Sequence, residues 1–178
     1  MPTHLTYAHI IELLRHLYAR TSGLSISAAA DSNDLSAWSK PPGMSPKELG
    51  ELAEQACALM AAQKRIATAK PYGETLPFDL VAIPRRKPFP LFKLQVRCCA
   101  YHQNSIYHLH LRKNSGRDPF QKGDFDFMVA LLIPAAAWYI IPFRALPRTV
   151  FSALHPAETR KSKFGPLDRY RNRWDLLQ

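Results

Sequence analysis

The stretch LPFDLVAIPRRKPFPLFKLQVRCC, residues 76–99, decides how this chain reads. Its two apolar runs, 78–83 and 91–99, are rich in the β-branched and aromatic residues that suit strands. The basic, proline-rich segment between them suits a hairpin loop. Successive strand residues point to opposite faces. Lys93, Gln95 and Arg97 therefore share one face of the second run, and Leu94, Val96 and Cys98 the other. Asp79 stands at the head of the first run, so pairing of the runs carries its carboxylate towards Gln95 and Arg97. An acid, an amide oxygen and a cation in one cleft suit a hard divalent ion, which takes oxygen ligands and fills its shell with waters and substrate phosphates.

Working outward, the segment before this hairpin predicts a helix over 45–64. Ser45 is a natural N-cap, Pro46 suits the first turn, and Glu48 completes a capping box. Leu49, Leu52, Ala56, Leu59 and Met60 form the expected buried stripe. Glu48, Glu51 and Glu54 recur at three-residue steps, which places neighbours in this row on roughly one face and offers a second acid to the cleft. A strand is expected near 65–69. Beyond the hairpin, 105–112 (SIYHLHLR), 125–133 (FDFMVALLI) and 137–143 (AWYIIPF) read as further strands. After Arg144 the chain turns basic and irregular, and LDRYRNRWDLL (167–177) predicts a short helix burying Leu167, Tyr170, Trp174 and Leu177. A helix followed by several strands implies an α/β or α+β sandwich around one sheet. Residues 4–20 read as an amphipathic helix and 21–44 as a polar, proline-rich linker. The chain thus divides into an extension, 1–44, and a domain, 45–178.

The net charge of +10 and pI near 9.8 favour a polyanionic partner, nucleic acid before an anionic membrane. No apolar run reaches the ~20 residues of a membrane span, since Pro134 breaks the best one. The N-terminus lacks the basic start and apolar core of a signal peptide. Cys57, Cys98 and Cys99 are odd in number and two are adjacent, which fits a reducing cytoplasm better than a disulfide framework. They contain no CxxC pair for zinc. Cys98 and Cys99 are expected on opposite sides of the sheet as packing residues. His108 and His110 share a strand face but lack a third ligand at a recognisable spacing, which favours structural or DNA-facing roles. Loop cations, namely Arg85, Arg86, Lys87, Arg112 and Lys113, with Lys93 on the strand, are candidate phosphate contacts. Arg117, Lys122, Arg160, Lys161 and Lys163 add to this basic character.

The ordered set GELAE (50–54), AKPYGETLPFDLV (69–81) and LQVR (94–97) resembles the PD-(D/E)XK nuclease superfamily. Within it, the chain is similar to the small bacterial homing-type endonucleases associated with group I introns. GDFDFMVALLIPAAAWYIIPFRAL (123–146) and RYRNRWDLL (169–177) resemble that group's late strands and closing helix, so the likeness covers about 45–178. It implies a three-layer α/β/α core with a mixed central sheet. It also implies metal-dependent hydrolysis of phosphodiesters in double-stranded DNA, with Mg²⁺ (Mn²⁺ substituting) as cofactor. A cytoplasmic homo-oligomer, dimer or tetramer, would make both cuts in a duplex. By the resemblance Asp79 is the metal-binding aspartate, Gln95 takes the place of the second acid, and Glu51 is the helical acid aligned through GELAE. The Val96 carbonyl joins the metal set. Arg97 stands where the family has lysine. A lysine can give up its proton on burial and arginine does not, so Arg97 implies a phosphate contact, and Lys93 on the same face is the lysine at hand. The alternative is a DNA-binding protein that keeps the fold with impaired cleavage.

Overall fold

The computed structural model describes residues 45–178, apart from 74, 101, 104–105, 114–117, 134, 136 and 156–164. The helix and linker expected in 1–44 lie outside the described residues, as do Arg117, Arg160, Lys161 and Lys163.

Helix α1 runs Pro46–Gln63 from the expected box: the Ser45 hydroxyl accepts from the Glu48 amide at 3.2 Å, and the Glu48 carboxylate accepts from the Ser45 amide at 2.6 Å. Its buried face is Ala53, Ala56, Cys57, Met60 and Ala61. The stripe is therefore rotated from the expected one; Leu49 and Leu52 are only partly buried and Leu59 is exposed. The rotation has a steric reason: small residues on the inward face bring the helix axis close to the sheet beneath, and the bulky leucines fit at its margin.

Among the described residues eight strands follow: β1 Ile66–Ala69, β2 Leu80–Pro84, β3 Phe92–Cys99, β4 His102–Gln103, β5 Ile106–His110, β6 Phe127–Leu132, β7 Ala137–Pro142 and β8 Phe151–Leu154. They form two sheets where sequence alone suggested one. The main sheet has the order β1-β2-β3-β6-β7. It is mixed, as the resemblance implied: β3 and β6 pair parallel and every other pair is antiparallel. A parallel neighbour needs a long crossover, and here the crossover is used to build β4 and β5. The second sheet, β4-β5-β8, lies over the opposite face from α1. Alternation sorts the core accordingly. Val96, Val129, Leu131 and Ile140 pack under α1, while Met128, Ala130, Leu132 and Ile141 meet Tyr107 and Leu109 of β5. Cys98 and Cys99 divide between the two faces, as alternation requires, and all three cysteines are free.

The C-terminal segment forms two 3₁₀ turns, Asp168–Tyr170 and Trp174–Leu177, in place of the expected helix. It still buries Leu167, Trp174 and Leu177. Tyr170 is half-buried. Among the described residues no helix is long and apolar enough to cross a membrane.

Candidate active site

The site lies where two strands part. β2 and β3 pair through Leu80–Leu94, Val81–Lys93 and Ala82–Phe92. The Asp79 amide adds a last rung to the Leu94 carbonyl at 2.8 Å. β2 begins there, but β3 continues to Cys99 with only β6 beside it. The Asp79 carboxylate occupies the gap. Its Oδ2 accepts from the Val96 amide at 2.6 Å and from Gln95 Nε2 at 2.5 Å. Both bonds end on Oδ2, which leaves Oδ1 without a protein partner among the described residues. That cleft, about 570 Å³, is lined by Glu51, Glu54, Lys70, Gln95, Arg97 and Lys113 among others. Gln95 is 5% exposed; a half-turn of its amide would present Oε1 beside Asp79 in place of Nε2.

Burial pushes the Asp79 carboxyl up to about 6, aided by the Glu54 charge and opposed by the Val96 amide, Arg97 and Lys70. Because the folded value lies above the ordinary one of 3.8, protonation favours the fold: this contribution is complete below 3.8 and lost as pH rises through about 6. Asp79→Asn, which mimics the protonated form, is expected to be more stable than the parent at pH 7–8 by about 2 kcal/mol. The gap should close near pH 4. Denaturant melts at both pH values check this; equal stability at pH 8 would show that burial does not strain the carboxylate.

Two glutamates of α1 line the cleft, with unequal claims. Glu54 couples to Asp79 electrostatically and holds Lys70 Nζ at 2.8 Å. Glu51, the residue aligned through GELAE, is exposed at the rim. Lys70, which the sequence reading did not single out, sits at the focus of the acids. Its ammonium is held above its ordinary range first by the bond to Glu54, then by the charges of Glu51 and Asp79. The cleft thus already places a cation beside its acids. Among the described residues no three His, Cys, Asp or Glu side chains form a ready-made cage. The donors here are carboxylates and an amide, hard oxygen ligands that suit a small divalent cation completed by water and phosphate. The residues present fit such an ion.

Arg97 enters the cleft as a mostly buried cation. One terminal nitrogen donates to the Arg112 carbonyl at 3.1 Å, the guanidinium lies 5.4 Å from the Phe120 ring centre, and Nε has no partner among the described residues. Burial lowers its proton affinity and the Asp79 charge restores part of it; at any accessible pH it stays charged. Lys93 shares the strand face of Gln95 and Arg97 but does not line the cleft. Its ammonium donates to the Gly123 carbonyl and lies over the Phe78 ring. Lys113 does line it, paired with Asp124 at 2.8 Å. Arg112 turns away to the Arg148 carbonyl at 3.2 Å. Arg85, Arg86 and Lys87 follow the far end of β2, about 15–20 Å from Asp79 by strand rise. His108 is exposed and His110 packs edge-on against Phe151, with no metal cluster around them among the described residues.

Comparison with known proteins bears on the family and the fold. A family model described as PD-(D/E)XK endonuclease matches residues 44–175. The chain is similar to the solved structure of a bacterial homing endonuclease, I-Ssp6803I, at 27% identity and a TM-score of 0.62, over 75% of this chain and 93% of that one. No curated protein matches it.

Proposed function

This chain belongs to the PD-(D/E)XK endonuclease family, and from that premise we propose that it cleaves double-stranded DNA with a divalent metal, Mg²⁺ or in its place Mn²⁺, as a homing-type endonuclease. The observation that carries the reading is the fork between β2 and β3, where Asp79 and Gln95 are bonded to each other inside a cleft shared with Glu54 and Arg97. Asp79 Oδ1, the Gln95 amide oxygen and Glu54 would hold the ion, with Glu51 at the rim and the Val96 carbonyl as a further donor. When bound, a divalent cation neutralises charge on the phosphodiester and acidifies water. Arg97, charged and with an unpartnered Nε, anchors the scissile phosphate and steadies its added charge as the reaction proceeds. It is not a proton acceptor. Lys70 must leave Glu54 for the ion to enter, and its long, largely exposed side chain allows this. Two copies, as a dimer or tetramer, would supply the two cuts.

Supercoiled plasmid with Mg²⁺, Mn²⁺ or EDTA tests the proposal: nicking or linearisation is expected with either metal and none with EDTA. Retained binding without cutting in any metal would favour the alternative, a DNA-binding protein with an impaired site, for which uncharged Gln95 and an Arg97 that stays protonated are the reason. The glutamates can be ranked in the same assay. Glu54→Gln is expected to raise the Mg²⁺ needed for half-maximal cutting about 10–100-fold, as loss of a ligand or its support does. Glu51→Gln should shift it only a few-fold. The reverse order would return the first place to Glu51.

A further inference from the structure

A second groove adjoins the cleft, and its lining has one sign of charge. It encloses about 620 Å³ and is bounded by Arg112, Lys122, Arg144 and Arg148, with Phe143 and Leu146 among its apolar residues. No carboxylate lines it among the described residues. Lys122, Arg144 and Arg148 are exposed, and none is in an ion pair among the described residues. Unpaired cations gathered around an apolar floor cost self-repulsion, which is relieved only by an anion. The groove and the cleft share Phe120 as a common wall, and the consecutive residues Arg112 and Lys113 line one each. Arg97, in the cleft, donates to the Arg112 carbonyl and lies over Phe120. Arg112 in turn donates to the Arg148 carbonyl, fixing the groove's far rim. The two depressions thus adjoin, and the carboxylates that line them, Glu51, Glu54 and Asp79, belong to the cleft.

We propose that the second groove carries the phosphate backbone of the DNA duplex that flanks the cut, with Arg144, Arg148 and Lys122 on phosphates and the apolar floor against deoxyribose. This rests on the nuclease reading and assigns the direction in which the bound duplex leaves the site. A basic rim binds backbone without reading sequence. Its contribution should appear as salt-dependent affinity that requires DNA long enough to reach it.

The test uses the full chain, in EDTA so that no cutting occurs, with fluorescent duplexes of about 12 and about 40 base pairs. Arg144→Gln/Arg148→Gln is compared with Lys64→Gln/Arg65→Gln, which removes the same charge at the far end of α1. The groove variant is expected to bind the long duplex on the order of 20-fold more weakly near 0.15 M salt, with a salt slope smaller by about 2. The short duplex and the control variant should change little. Equal losses for the two variants would reduce the groove to bulk charge and overturn the proposal. So would a loss as large on the short duplex as on the long one. If the unmodified chain cuts plasmid yet the groove variant binds as the parent does, the groove fails while the nuclease reading stands. If the unmodified chain binds no DNA, both fail.

Discussion

Asp79→Ala is expected to lower metal-dependent DNA cleavage by on the order of 10³-fold while leaving DNA affinity within a few-fold of the parent. The estimate follows from charge stabilisation by a bound cation, worth several kcal/mol, at about 1.4 kcal/mol per decade. Asp79 is the carboxylate bonded to β3 at Gln95 and Val96; the alanine removes both the proposed ligand and the acceptor of those bonds. Asp79→Asn separates these two losses. Its amide oxygen can keep the bond from Val96, so the fold is retained, but a neutral ligand holds a divalent ion poorly. Both variants should therefore fail to cut, and only alanine should also loosen the local structure. Plasmid linearisation with a parallel gel shift measures both quantities. Cleavage by Asp79→Ala at the parent rate would place the active site elsewhere.

Trp174→Ala is expected to destabilise the domain by about 3–5 kcal/mol, the usual range for removing a large buried aromatic. Trp174 is 4% exposed and meets Trp138 edge to face, with ring centres 5.5 Å apart. Trp138 lies on β7, so this contact fastens the C-terminal segment under the sheet. The segment is also held by the Asn172 amide, which donates to the Trp138 carbonyl at 2.7 Å. The Trp174 Nε1–H has no partner among the described residues, so Trp174→Phe loses area but no hydrogen bond there and should cost much less. Thermal or urea melts of the two variants decide the matter. A small loss on alanine would mean that the last turns are an ornament to the core.

The features legible in the sequence were those with a local cause. The capping box fixed where α1 begins, because both partners of the box lie within four residues. Strand alternation put Gln95 and Arg97 on one side, and the short hairpin loop brought Asp79 to them. What escaped depended on distant contacts. The rotation of α1 follows from the sheet beneath it. The strand β8 is four residues long and exposes Phe151; it exists through its pairing with β5, about forty residues earlier in the chain. The parallel pairing of β3 with β6 carries no local signal. Nor did alternation reveal that Lys93, on the correct face, would be drawn to the Gly123 carbonyl, or that Lys70, at the end of β1, would reach Glu54. The spacing of three along α1 did bring Glu54 into view beside Glu51, but only the packed helix shows which of them couples to Asp79.

The parting of β2 from β3 makes the chain unequally tolerant of changes in length. Adding one residue within β3 before Gln95 would turn Gln95 and Arg97 under α1 and Val96 to the opposite face, since each strand position alternates sides. Adding one between Lys70 and Leu76 alters only the slack by which Asp79 is delivered to the opening. Indels should therefore be absorbed ahead of the aspartate and lethal just after it, so that the approach to the site can drift in length over descent while the strand at its heart keeps its count.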